Sequence, residues 1–148
     1  MISVVSHHKQ FTATGLVMFL CLASAVASSD NYTSPETIEG TRGIGAEELI
    51  QLVNRNESQI IIDSRISSDR KLGYIPGSIS LPDTDTNCES LTRVIPQKSD
   101  PVVFYCNGPN CRRSDNAVVI AVDCGYTGVY WFRGGIETWR TNNYPITK

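Results

Sequence analysis

A short apolar run, Pro101 to Tyr105, ends on a cysteine, Cys106, and is followed by Asn107-Gly108-Pro109-Asn110-Cys111-Arg112-Arg113-Ser114 and then by Asp115 to Cys124. The run is β-prone, the Gly-Pro pair marks a turn, and Asp115 to Cys124 reads as a buried helix stopped by Gly125. A cysteine is thus set where a strand stops and a helix begins. Main-chain N–H groups at a helix start lack intrahelical partners and point at whatever lies before them. A thiolate or oxyanion placed there is stabilised, and cysteine pKa falls to roughly 3.5–7.5 in such settings.

The chain has 148 residues, the length of one domain, with 41% hydrophobic residues and a net charge of −2. That charge gives no sign of a nucleic-acid partner. Leu16 to Ala27 is an apolar run ending in Ala25-Val26-Ala27, preceded by a polar, weakly basic stretch with Lys9, His7 and His8. This pattern predicts a signal peptide over 1–27 and an exported, periplasmic chain beginning at Ser28. An uncleaved anchor is the alternative and would be the one route to a membrane. A span needs about 20 residues. Leu20 before Cys21 argues against a lipoprotein. Cleavage would remove both histidines, and with them Cys–His and Ser–His–Asp catalysis and any His-ligated metal.

Residues 28–43 are rich in Ser, Thr, Asn and Glu and predict a flexible lead. Asn31-Tyr32-Thr33 and Asn56-Glu57-Ser58 match the glycosylation pattern, which is common by chance. Ile44 to Asn54 predicts a helix with Gly45 as N-cap and an apolar stripe of Leu49, Leu52 and Val53. Gln59 to Asp63 predicts a strand buried on both faces. Ser78 to Leu81, Val102 to Tyr105 and Gly128 to Arg133 predict further strands, and Glu89 to Ile95 and Ile136 to Arg140 short helices. Alternating strands and helices imply an α/β fold with a mostly parallel central sheet and helices on both faces. Ligands of such sheets bind beyond the strand C-termini, where Cys106 stands.

From Ile44 to Lys148 the chain resembles a single rhodanese domain, the sulfurtransferase fold. The resemblance rests on Ile62-Asp63-Ser64-Arg65, Gly73-Tyr74-Ile75-Pro76-Gly77-Ser78-Ile79, the Cys106 loop, Cys124-Gly125-Tyr126, Phe132-Arg133-Gly134-Gly135-Ile136 with Trp139, and Asn143-Tyr144-Pro145. It implies that the Cys106 thiolate takes sulfur from a small anionic donor such as thiosulfate and holds it as a persulfide. A thiol, a protein thiol or cyanide then accepts it, and no cofactor or metal is required. The N–H groups of residues 107–112, except Pro109, would cradle the sulfur, making Asn107, Gly108, Asn110, Cys111, Arg112 and Arg113 the donor-binding candidates. Three features depart from the common pattern. Tyr74 stands where histidine is frequent. The loop is about two residues longer, and it carries Cys111 and two arginines. The spacing Cys106-x5-Arg112 equals that of cysteine phosphatases and of arsenate reductases, but Tyr105 replaces the usual preceding histidine.

Cys111 is either a resolving thiol for the Cys106 persulfide or a spectator. The first option also allows a thiol–disulfide redox protein, and an inert Cys106 would make the domain a binding module for an anion or partner. Cys111 and Cys124 would lie at opposite ends of one helix, about 15–20 Å apart. A disulfide needs Cα atoms within about 7 Å, so that pair and a four-cysteine zinc site are excluded. Cys88–Cys124 stays open as a bridge, with two buried thiols as the alternative. Arg112 and Arg113 sit in the first helical turn, where the macrodipole disfavours cations, a mild argument for an anion. Asp63 is expected to hold loop backbone or pair with Arg65. Ser114 is expected to cap the helix, and Trp131 and Trp139 to pack.

Overall fold

The computed structural model describes residues 31–55 and 59–148. The expected signal peptide and Asn56-Glu57-Ser58 lie outside the described residues. Five parallel strands form one sheet in the order β1-β5-β4-β2-β3. They are β1 (Arg42–Gly43), β2 (Ile60–Asp63), β3 (Ile79–Ser80), β4 (Val102–Tyr105) and β5 (Val129–Phe132). The helices are α1 (Ala46–Arg55), α2 (Ser67–Arg70), α3 (Cys88–Val94), α4 (Arg113–Asp123) and α5 (Gly135–Thr141), with a 3-10 turn at Asp83–Asp85.

The three central strands, β2, β4 and β5, are buried on both faces because their side chains alternate between two cores. Val102, Phe104, Ile62, Val129 and Trp131 meet Leu91 of α3 and Ala117, Val118 and Ala121 of α4. Val103, Tyr105, Ile61 and Phe132 meet Ala46 and Leu49 of α1 and Ile136 and Trp139 of α5. β4 lies between β2 and β5, and all four of its residues are buried. Its C-terminal end therefore opens at the centre of the sheet.

Several boundaries differ from the sequence expectation. α4 starts at Arg113 rather than Asp115, so Ser114 lies inside the helix and is not its cap. α3 begins at Cys88, held by a capping box in which Asn87 accepts from the Ser90 N–H and Ser90 from the Asn87 N–H. In the stripe expected on α1, Leu49 is buried and Leu52 half-buried, but Val53 is exposed. β1 and α2 were not expected. β1 is two residues long and pairs with β5 through register, without an apolar pattern of its own. α2 is one polar turn.

The predicted flexible lead is also revised. From Tyr32 onward it is a strap held on the domain. The Ser34 N–H donates to the Pro109 carbonyl at 2.7 Å, and Ser34 is buried. The Arg133 guanidinium donates to the Ser34 and Pro35 carbonyls, each at 2.8 Å. Composition alone does not reveal these contacts, because each uses main-chain groups that any sequence carries.

Cys88 and Cys124 form a disulfide with Cα atoms 5.4 Å apart, tying the start of α3 to the end of α4. It closes a loop with a sequence separation of 36. Replacing both cysteines by alanine is expected to cost about 3–4 kcal/mol through the freed unfolded chain. Urea denaturation would show this as a lower midpoint.

Candidate active site

The site begins with Asp63 at the end of β2. Its carboxylate is fully buried and accepts a bidentate pair from Arg65, Nε at 2.8 Å and NH2 at 2.7 Å. It also accepts from Arg70 at 2.9 Å, from the Tyr105 hydroxyl at 2.8 Å and from the Arg65 N–H at 3.1 Å. Arg65, 1% exposed, also donates to the Gly73 carbonyl at 2.9 Å. Asp63 thus both pairs with Arg65 and holds loop backbone. The Tyr105 hydroxyl receives the Ile75 N–H at 3.2 Å and lies 3.0 Å from the Ser78 hydroxyl. Burial, then the Asp63 charge, push the Tyr105 phenol up to about 12. Tyr74 stacks under the Arg70 guanidinium, 3.7 Å from the ring centroid, and so supports the same network.

One residue beyond Tyr105 stands Cys106, with no exposed surface. Its carbonyl accepts the Ile136 N–H, and that of Asn107 the Glu137 N–H, both at 2.9 Å. Gly135 permits this approach. Its φ is +55°, and a Cβ there would strike the Cys106 carbonyl oxygen and come within 2.8 Å of Asn107 main-chain atoms. The Asn107 amide donates to Asp69 at 2.9 Å, and the Cys111 N–H closes the loop onto the Gly108 carbonyl at 3.0 Å.

The Cys106 sulfur faces Cys111 and α4. Its thiol donates to the Cys111 carbonyl at 3.0 Å and accepts from the Ser114 hydroxyl at 3.1 Å. The Trp131 indole N–H donates to the Ser114 oxygen at 3.1 Å, fixing that oxygen as acceptor and leaving its one proton for Cys106 or for Asp115, 3.3 Å away. Ser114 is therefore a sulfur ligand rather than the expected cap.

The two loop thiols bear on each other's ionisation. A hydrogen bond from Cys106, the Asn107 and Arg113 N–H groups and the Arg113 charge together bring Cys111 down to about 6, against an opposing burial effect. Hydrogen bonding to Cys111 and burial push Cys106 up, against the lowering effect of Ser114. The lowered thiol expected at Cys106 is thus found at Cys111. The Asn107 N–H, expected to cradle a persulfide, contributes to the lowering at Cys111.

The remaining loop residues lie around this pair. Arg113 pairs with Asp83 at 2.8 Å, and Asn116 donates to Asp83 at 3.1 Å. Arg112 is exposed and stacks on Tyr32, 4.2 Å from the ring centroid, while the Tyr32 hydroxyl donates to Asp115. Gly108 is buried against Glu137, and Asn110 is exposed. Trp139 packs in the α1–α5 core and donates to the Pro145 carbonyl at 2.7 Å. Tyr32, Asp115 and Arg133 were not singled out from sequence. Their partners lie 83 to 99 residues away, and no local spacing marks them.

A parallel α/β sheet with a cysteine loop leading from a central strand into a helix defines the class. The rhodanese-like domain model matches residues 45–142, and the chain belongs to that family. The uncharacterized protein YibN of Escherichia coli strain K12 is 28% identical over 130 residues, covering 87% of this chain and 85% of YibN. A protein named sulfurtransferase from Allochromatium vinosum is 29% identical over 109 residues, 70% of this chain and 92% of the relative. The crystal structure of the BH2092 protein of Bacillus halodurans superposes with a TM-score of 0.63 at 28% identity, over 72% of this chain and 76% of that one.

Two outcomes are expected. Asp63→Ala leaves the buried Arg65 charge without its partner and should lower stability by about 3–5 kcal/mol, read by urea denaturation. Iodoacetamide should modify Cys111 before Cys106. The lowered Cys111 pKa places its thiolate at and above about pH 6, so the rate should climb through that pH rather than near the ordinary 9.0. Cys106→Ala should move the inflection upward, because the hydrogen bond from the neighbouring thiol is lost. Peptide mapping across pH 5–9 checks both.

Proposed function

We propose that this chain is an exported sulfurtransferase that carries sulfane sulfur as a Cys106 persulfide. The observation that carries the reading is the placement of Cys106 at the C-terminal end of β4, with the Ser114 hydroxyl donated to its sulfur at 3.1 Å. A hydroxyl held in that direction by Trp131 favours negative charge on sulfur. The family membership supports sulfur transfer in general, and a thiosulfate-type donor is the specific part of the proposal.

The steps follow from the pair of sulfurs. Moving the pair's one proton from Cys106 to Cys111 leaves a Cys106 thiolate, so no other base is needed. That thiolate attacks the outer sulfur of thiosulfate. The sulfur–sulfur bond of the donor breaks, sulfite leaves with the electron pair, and the outer sulfur stays on Cys106. A thiolate or cyanide then takes this sulfur and Cys106 departs as thiolate. Because Cys106 is fully buried, the donor reaches it only when residues 107–111 move from the strap, to which the Pro109 carbonyl is tied.

Export is supported by two features. The sequence carries the apolar run 16–27 with its Ala-Val-Ala end. The Cys88–Cys124 disulfide suits an oxidising compartment. Among the described residues no helix is long and apolar enough to cross a membrane. Phosphate chemistry at Cys106-x5-Arg112 is disfavoured by the engagement of Arg112 with Tyr32 and of Arg113 with Asp83.

The test is sulfite release from thiosulfate in the presence of cyanide. Wild type is expected to release sulfite, and Cys106→Ser to fall to the uncatalysed background. Release that survives Cys106→Ser would sink the reading.

A further inference from the structure

The arrangement of the second loop cysteine points past simple transfer to an external acceptor. Cys106 has no exposed surface, whereas Cys111 is partly exposed. The Cys106 thiol is aimed at residue 111, reaching its carbonyl at 3.0 Å. Hydrogen bonding and the Arg113 charge pull the Cys111 thiol below the ordinary cysteine range. This is the polar environment in which a cysteine is held as a nucleophile. The strap tied to Pro109 lies over the same loop. An internal thiol on the residue whose carbonyl touches the Cys106 sulfur therefore precedes any external acceptor in effective concentration.

We propose that Cys111 is a second catalytic nucleophile, which attacks the Cys106 persulfide from within the loop and releases its sulfur as hydrosulfide. This rests on the persulfide reading above. The Cys111 sulfur bonds to the Cys106 sulfur, the bond from the Cys106 sulfur to the sulfane sulfur breaks, and its electron pair leaves on hydrosulfide. The two cysteines end as a disulfide, and the sulfane sulfur is reduced to sulfide. An external dithiol, or two monothiols, reduces the Cys106–Cys111 disulfide and is itself oxidised to a disulfide, which resets the protein. Attack is directed at the inner sulfur by the leaving group. Attack there expels hydrosulfide, which carries its charge to solvent. The chain then works as a donor-to-sulfide converter that draws electrons from a thiol pool.

The experiment uses the full chain with Cys106 and Cys111 reduced and the reductant removed. Excess thiosulfate is added with no acceptor, released hydrosulfide is trapped with monobromobimane, and peptides are mapped by mass. Wild type is expected to release close to one hydrosulfide per chain and to carry a Cys106–Cys111 disulfide. Cys111→Ser and Cys111→Ala are expected to release less than one tenth of that and to keep one extra sulfur on Cys106. The wild-type hydrosulfide count and disulfide map decide the matter alone if both variants fail to fold. An extra sulfur that persists on wild-type Cys106 as it does on the variants would overturn the proposal, as would finding it on Cys111. Either result leaves the persulfide reading standing. If neither wild type nor variants release sulfite or gain sulfur, the persulfide reading fails and takes this one with it.

Discussion

The Asp63 carboxylate lies inside the protein at the end of β2, and four groups from different parts of the chain converge on it. Arg65 and Arg70 bring positive charge, Tyr105 brings a hydroxyl from the neighbouring strand, and the Arg65 N–H closes the turn. An ionised carboxylate removed from water is tolerated only when its lone pairs are matched in this way. The match fixes the exit directions of β2 and β4 at once, since Asp63 and Tyr105 are register partners in the sheet. Cys106 is the next residue. The position of the reactive sulfur is therefore inherited from a buried ion pair that does not touch it.

From the other side, the loop is held by backbone rather than by charge. The Ile136 and Glu137 N–H groups take the Cys106 and Asn107 carbonyls, and Gly135 allows the two chains to approach. With both flanks fixed, the freedom left to the loop lies in residues 108–111. These are the residues that carry Cys111 and meet the strap at Pro109.

Much of the fold was legible from residues alone. The apolar runs at Gln59 to Asp63, Val102 to Tyr105 and Gly128 to Arg133 are long enough and β-branched enough to be buried strands, and the helices between them force a parallel sheet. Asp63-Ser64-Arg65 and the Cys106 loop carried the family. β1 escaped notice because two polar-flanked residues show no period. The strap escaped because it is held through main-chain carbonyls and through Arg133, about a hundred residues away. Ser114 was assigned to a cap from its place before a helical run. Its hydroxyl goes to Cys106 because the helix starts two residues earlier and Trp131 turns the oxygen toward the sulfur.

The sequence by itself determined the βα order, the parallel sheet and the position of Cys106 at a strand end, because hydrophobic period and turn chemistry are local properties. It also limited the cysteine pairings, since helix length keeps Cys111 and Cys124 apart. Which thiol of the loop ionises first was decided by tertiary structure alone. That property depends on burial, on hydrogen bonding around the two thiols and on the Arg113 charge. Each of these is a sum over neighbours brought together by folding, and none of them leaves a mark in the spacing of residues.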